Sequence, residues 1–315
     1  MKFKFLILSI LIATNSIAQN FSGEIEYEIK IIPKNKNFNL DSLMNIKKGS
    51  IAKYVITNNK YKSTYYKDNL ETYSYTYDDV SKRMYDNYVE NPYITYRDSR
   101  RANFNYKGSK IHLDSTLIIL DKSCFMVEYD SDYGKSKVYY SNEIKVAYDS
   151  FKGHKVGNWY EKLKEVDGCL SIKTITEFDE YYEIQEAVKI TPRTLDNEEF
   201  SLPENKKVVA SYTALDKRVE LEQPNQNVIN CYLSKIQDAI EKKGIKDSKT
   251  SYLSFVVTDT GDIKYVDALE DDSLGLFKVA IDILDNCDLK FIAGEIDGKP
   301  VSSLTYFPIE FNPKK

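Results

Sequence analysis

The sequence predicts an α+β protein: one large antiparallel curved sheet, closed or partly closed, over residues 19–207, a linker at 208–223, and a small domain of order α-β-β-α-β over 224–315. Three observations carry this. Short segments rich in Tyr, Ile, Val and Thr follow one another with turn residues between them, the pattern of a meander. Near the C-terminus, two helical stripes flank a hairpin signal. The composition holds 26 Tyr against 1 Trp, which fits strands exposed on one side, where an amphipathic ring packs below and meets water above.

Residues 1–18 read as a secretory signal peptide. Lys2 and Lys4 precede an apolar stretch from Phe5 to Ala13, and Ser16 and Ala18 stand at small-residue cleavage positions, with cleavage expected after Ala18. A spanning helix needs about 20 apolar residues, and Thr14-Asn15-Ser16 interrupts this run first. No Cys follows the run, so a lipid anchor has no attachment residue. The expected location is therefore periplasmic or secreted, with no transmembrane anchor after cleavage.

The 315 residues are 42% hydrophobic and 29% charged, with a net charge of −4, enough to bury a sizeable core in more than one domain. Lys and Arg are scattered among carboxylates, so the charge pattern implies neither nucleic acid nor anionic lipid as a partner. Four cysteines, Cys124, Cys169, Cys231 and Cys287, form no CxxC. In an oxidising compartment they read as two structural disulfides, and pairing within each proposed domain gives Cys124 with Cys169 and Cys231 with Cys287.

The first strand is residues 21–32, where Ile25, Tyr27, Ile29 and Ile31 alternate with Glu24, Glu26, Glu28 and Lys30. After a polar insertion around Leu40 to Lys47, strands are expected at 51–57, 60–66, 72–77, 82–88 and 93–96, then at 123–129, 135–140, 169–177 and 181–191. Helices before residue 220 are expected only at Ser42 to Lys48 and Asn158 to Lys164. So little cover leaves two readings of the sheet's apolar face: open to a ligand, or filled by its own side chains, as small barrels are.

Residues 138–174 carry a first resemblance. Tyr140, Ser141, Glu143 and Ile144 match a Tyr-rich "Y-[ST]-x-E-I" strand, and 166–172, "VDGCLSI", loosely match the Gly-Leu/Val-Leu-Ile strand that follows it. This region resembles the secreted Bacteroidota families called GLPGLI and their LolA-like relatives. The resemblance implies an antiparallel half-barrel related to lipoprotein carriers over about 20–207, and no known activity.

Pro192, Pro203, Asn205 and Pro224 punctuate the end of the sheet, and the charged stretch to Glu222 reads as a connector. Asn225 or Asn227 then caps a helix with an apolar stripe of Ile229, Leu233, Ile236 and Ile240, stopped at Gly244. Leu253, Phe255 and Val257 line one face of a strand, Asp259 to Gly261 turn it, and Ile263, Val266 and Ala268 continue it with spacing that implies a bulge. Ser273 is expected to cap a second helix with a stripe of Leu274, Phe277, Ile281 and Leu284 and Cys287 on the same side. A closing strand runs through 298–311, with Pro308 tolerated at an edge.

Phe255, Val257, Gly261, Ile263, Val266 and Ala268 match "F-x-V-x-x-x-G-x-I-x-x-V-x-A"; the helix around Phe277 to Leu284, "G-K-P-V" at 298–301 and "P-I-x-F" at 308–311 follow in the same order. Residues 224–315 thus resemble the C-terminal domain of TonB-type energy transducers. The Tyr-Pro that precedes the first helix in that family is missing here, and "LKFIAG" replaces its Trp and Pro before Gly298. A transducer also needs a membrane anchor and a Pro-rich spacer, which this sequence does not present. The resemblance implies a module that receives a partner segment by strand addition, without energy transduction, on a docking strand of Leu304, Tyr306, Pro308, Ile309 and Phe311.

The sequence offers no catalytic, cofactor-binding or metal motif: GxSxG, HExxH, GxGxxG and a Gly-rich phosphate loop are missing, and His112 and His154 read as ordinary surface or loop residues. "DSDYG", 130–134, starts like a calcium loop but lacks a third acidic ligand and a distal Glu, so it reads as a hairpin turn. "EDDS", 270–273, reads as a solvated helix start. The expected protein is a non-catalytic secreted envelope protein with a protein partner. The alternatives are a periplasmic carrier of a lipid-like ligand in the N-terminal half-barrel, and an enzyme of unrecognised type.

Overall fold

The computed structural model describes residues 20–36, 38–39, 49–103, 106–132, 134–269 and 273–313. Residues 1–18, expected as a signal peptide, the helix expected at 42–48 and the acidic residues 270–272 lie outside these. The elements are β1 (Gly23–Pro33), β2 (Ile51–Ile56), β3 (Lys60–Lys67), β4 (Leu70–Asp78), β5 (Arg83–Tyr88), β6 (Tyr93–Asp98), β7 (Tyr106–Ile119), β8 (Lys122–Ser131) and β9 (Gly134–Lys145). Helix α1 (Trp159–Glu165), β10 (Cys169–Glu177), β11 (Tyr181–Pro192), β12 (Lys207–Ala210), β13 (Glu220–Leu221) and α2 (Gln226–Lys243) follow. The chain ends with β14 (Lys249–Val257), β15 (Ile263–Ala268), α3 (Leu276–Asn286), β16 (Phe291–Ile292), β17 (Gly294–Ile296), β18 (Lys299–Val301) and β19 (Ser303–Phe311).

Fifteen strands form one open sheet in the order β15-β14-β19-β12-β6-β5-β4-β3-β2-β1-β11-β10-β9-β8-β7, with β15 and β7 as its ends. The fold is mainly β, of α+β type, and the sheet does not close into a barrel. It is also mixed, because β12 runs parallel to both β6 and β19. The stretch 208–223, expected as a connector, opens with the end of this strand and carries β13, which pairs with β16.

The two halves bury opposite faces of this sheet. In the N-terminal half, Ile25, Tyr27, Ala52, Tyr54, Ile56, Tyr61 and Tyr77 pack against Phe151, Leu163 and Trp159, so the segment around α1 fills the face that the sequence left either open or filled. In the C-terminal half, Leu253, Phe255, Val257, Ile309 and Phe311 meet Val228, Ile236 and Ile240 of α2 and Leu276, Ala280 and Ile283 of α3. Each large side chain so buried contributes about 1.5–3 kcal/mol. Cross-strand register fixes which face is which: Tyr54 lies opposite Ser63, Ser63 opposite Tyr75, Tyr75 opposite Asp86, Asp86 opposite Thr95 and Thr95 opposite Val209. The face covered by α1 therefore continues, without helical cover, across the junction.

Asn225 caps α2 by accepting from the N–H groups of Asn227 and Val228, and Gly244 closes it at φ 62°. Its buried stripe is Val228, Ile236, Ala239 and Ile240, while Leu233, expected in that stripe, is 56% exposed. The disulfide at Cys231 and the half-buried ring of Tyr232 set the rotation instead. Helix α3 likewise begins later than expected, after Gly275 in left-handed conformation, with no side-chain cap from Ser273, so Leu276, Ala280, Ile283 and Leu284 face inward. The expected bulge is present: Ser254 and Val256 pair with Asp267 and Lys264, and Tyr265 sits at φ 56°. The turn before it is closed by the Thr258 N–H on Asp262 O at 2.8 Å and needs Gly261, whose added Cβ would lie 2.5 Å from Phe291 O.

Cys231 and Cys287 are bonded. Cys124 and Cys169 are free and buried, which corrects the expected first pairing. Cys124 packs with Ile119 and Ile144 on one face of the sheet and Cys169 with Tyr129 and Tyr140 on the other, so the sheet itself separates the two thiols. His154 lies in a loop, as expected, but not at the surface. It is 1% exposed, stacked on Tyr77 with ring centroids 4.0 Å apart and bonded through Nε2 to the Tyr61 hydroxyl. His112 meets Glu128 at 3.0 Å, and Ser131 faces Gly134 at the end of the β8–β9 hairpin.

Candidate functional site

The open part of the sheet face, at the junction of the two halves, holds a groove of about 520 Å³. Strands β4, β5 and β6 supply Tyr73, Asp86, Tyr88, Tyr93 and Arg97; β14, β15 and β19 supply Ser254, Asp267, Leu304 and Tyr306; Tyr212 closes one end. Alternation explains the aromatic wall, since every second residue of a strand faces the same side. Tyr73 stands opposite Tyr88 in register, with ring centroids 4.6 Å apart. Tyr212 meets Tyr306 edge-on at 6.2 Å.

The floor is a buried polar triad. Asp86, 8% exposed, accepts the Tyr73 hydroxyl on one carboxylate oxygen and Arg97 Nη2 on the other. Burial, reinforced by the Asp86 charge, holds the Tyr73 phenol far above the ordinary tyrosine range. Burial works against the Arg97 guanidinium, but contact with Asp86 outweighs it and keeps the group fully charged. Two further phenols of the groove, Tyr88 and Tyr93, are likewise pushed up, first by burial and then by Asp86 for Tyr88 and by Tyr306 and Asp267 for Tyr93. Exposed ring faces beside a bonded carboxylate and guanidinium give the groove surfaces for stacking and hydrogen bonding.

The groove borders a strand edge. The Leu269 N–H donates to Tyr252 O at 3.0 Å, so the even-numbered residues of β14 direct their main-chain groups to β15 and the odd-numbered ones to β19. In the antiparallel register Leu253 faces Phe307 and Phe255 faces Thr305. It follows that Thr305, Phe307 and Ile309 bond to β14, whereas Leu304, Tyr306, Pro308 and Glu310 direct their main-chain groups outward. On that outer side β12 reaches only Ser303, through the Ala210 N–H on Ser302 O at 2.9 Å. Beyond it no strand pairs with β19 among the described residues. Pro308, which has no N–H to donate, sits at an outward position, as its chemistry requires.

Of the expected docking residues, the structure brings Leu304 and Tyr306 to the groove wall and leaves Pro308 exposed on the same face. Ile309 and Phe311 point the other way and are 0% exposed in the helix-covered core, so their side chains cannot meet a partner. The triad and the wall from β4 to β6 were not singled out in the sequence. "YSYTYDD" at 73–79 and "YITYR" at 93–97 carry the signal, aromatic alternation with a charge at one end, but nothing local says that these strands meet β19.

No family model and no curated protein matches the chain. Among solved structures it is similar at 12% identity, with a TM-score of 0.37, to a structure described as PNGF-II in C2 space group, over 75% of this chain and 43% of that one. A weaker likeness, at 8% identity and a TM-score of 0.11, is to the DNA polymerase III β chain from Streptococcus pneumoniae TIGR4, over 92% of this chain and 79% of that one. The chain thus spans less than half the length of the first of these. At such scores neither likeness carries an argument about fold or activity.

Proposed function

We propose that this chain is a non-catalytic protein of the cell envelope that binds a partner protein by receiving an extended segment along the outer edge of β19, without energy transduction. One observation carries the reading: past the bridge to β12, Tyr306, Pro308 and Glu310 direct main-chain groups outward, and no strand pairs with them among the described residues. Such an edge supplies affinity through main-chain hydrogen bonds, and the adjoining groove supplies selection. The bound strand would lie against a rigid support, because β19 is anchored on its other side to β14 from Ser303 to Phe311.

The test is a photo-crosslinking amino acid placed at Glu310 in the protein expressed in its native envelope, with one at the exposed Lys246 as control. A discrete protein adduct at 310 and none at 246 supports the reading. Equal labelling at both positions, or none at 310, sinks it.

A further inference from the structure

We infer that the partner segment presents a lysine or arginine side chain to the junction groove, seated among Tyr88, Tyr93 and Tyr306. The inference rests on the strand-addition reading and adds the chemistry of the occupant. Aromatic faces attract a cation through the ring quadrupole, and more strongly when the site is partly desolvated. Tyr88 and Tyr306 are 41% and 48% exposed, so each offers surface to a ligand while Tyr93, 8% exposed, forms the base.

Charge makes the choice of sign. Within the groove the Asp86 carboxylate and the Arg97 guanidinium are bonded to each other, so their charges offset. Two further carboxylates stand in the lining, Glu90 and Asp267. No ion pair engages either of them among the described residues, and the Asp267 side chain bonds only the backbone N–H of Ala268, at 2.9 Å. The cation Lys206 stands outside the lining, where the carbonyls of Tyr88 and Val89 and Asn87 Oδ1 hold its ammonium within 3.0 Å of each. The lining itself holds three carboxylates, Asp86, Glu90 and Asp267, against the one guanidinium of Arg97, so an incoming basic side chain meets tyrosine faces and carboxylates, whereas an acidic one meets repulsion.

The strand register adds a second position. Along an added strand every second side chain falls on this face, about 7 Å from the last. The side chain two residues from the basic one lies toward Pro308 and Tyr252, which face each other in register and are both exposed. That surface is largely apolar, so the segment should read as a basic residue, any residue, then an apolar one.

Panning a displayed library of random decapeptides against the full mature protein tests this, with Glu310→Pro as counter-target, since that change removes an outward N–H donor and leaves the β14 ladder intact. The expected result is enrichment of peptides with Lys or Arg at one fixed position and an apolar residue two away. These should bind at least tenfold more weakly to E90Q/D267N and lose affinity as salt is raised. Enriched peptides that discriminate against Glu310→Pro but carry no fixed basic residue overturn the inference and leave strand addition standing. Absence of any enrichment over the counter-target overturns both.

Discussion

Ala210 and Ser303 face each other in a parallel bridge, both fully buried, and this is where the N-terminal and C-terminal parts of the sheet join. Ala210 packs on its helix-side face with Tyr96, Ala214 and Leu215, so a larger or charged side chain there must displace core atoms. Ala210→Glu should cost more than about 3 kcal/mol by burying an unpaired carboxylate. The bridge also couples the halves. Urea unfolding of the unaltered protein followed by Trp159 fluorescence and by far-UV circular dichroism should give coincident curves. Separate transitions in the unaltered protein would show that the two parts unfold independently.

Burial holds the His154 imidazole down at about 4, against its ordinary 6.5. Between those values the unfolded chain takes up a proton that the native chain does not. The stability tied to the neutral ring is complete above pH 6.5 and is lost as the pH falls toward 4, by about 3 kcal/mol in all. Stability measured from pH 7.5 to 4 should fall accordingly, and His154→Phe should remove most of that slope. An unchanged slope in the variant refutes the assignment.

The Asp86 and Arg97 pair under the groove should behave as a unit. Arg97→Met strands a buried carboxylate and should cost about 3–5 kcal/mol. Asp86→Asn combined with Arg97→Met should cost less than the sum of the single changes, a coupling that a double-mutant cycle measures directly. Additive effects would mean the pair contributes nothing beyond its separate contacts.

The edge assignment of β19 makes a paired prediction. Glu310→Pro removes an outward N–H and should cost under about 1 kcal/mol, whereas Thr305→Pro removes a donor to β14 and should cost about 3 kcal/mol or more. Chemical denaturation of the two variants reads the difference. Equal costs would refute the stated orientation of the strand, and a larger cost at 310 would reverse it.

Thiol titration checks the cysteines. In denaturant without reductant two thiols should react, Cys124 and Cys169, and in the native protein neither should react quickly, because both are buried. Burial also pushes both thiols up, Cys169 to about 11, so little thiolate is present at neutral pH. Removing the Cys231–Cys287 bond, whose ends are 56 residues apart, should cost about 2–4 kcal/mol of stability.

Much of the local structure was written in the sequence. The alternation of Ile25, Tyr27 and Ile29 with glutamates gave β1, Asn225 or Asn227 and Gly244 gave the two ends of α2, and the uneven spacing from Ile263 to Val266 gave the bulge, because each depends on a few neighbouring residues and backbone sterics. Strand β7 was missed, since side chains such as Ile111, Leu113 and Ile118 remain exposed at the sheet's end and leave no buried stripe to read. The β17–β18 hairpin was missed as well, although Asp297-Gly298, both at positive φ, is a turn signal of the tightest hairpins.

What the chain alone determined was therefore where the strands and helices with a strong local pattern form and which residues can cap or turn them. Tertiary structure decided which face of each strand is buried, and with it the fate of Cys124, Cys169, Ile309 and Phe311. It also placed Asp86 and Arg97 beside Tyr306, across more than two hundred residues of chain. Alternation with a period of two states that a strand has two unlike faces, but not which of them the rest of the chain will cover. That choice depends on β12 joining β6 to β19, a pairing between strands remote in sequence whose few residues carry no local mark of their partners.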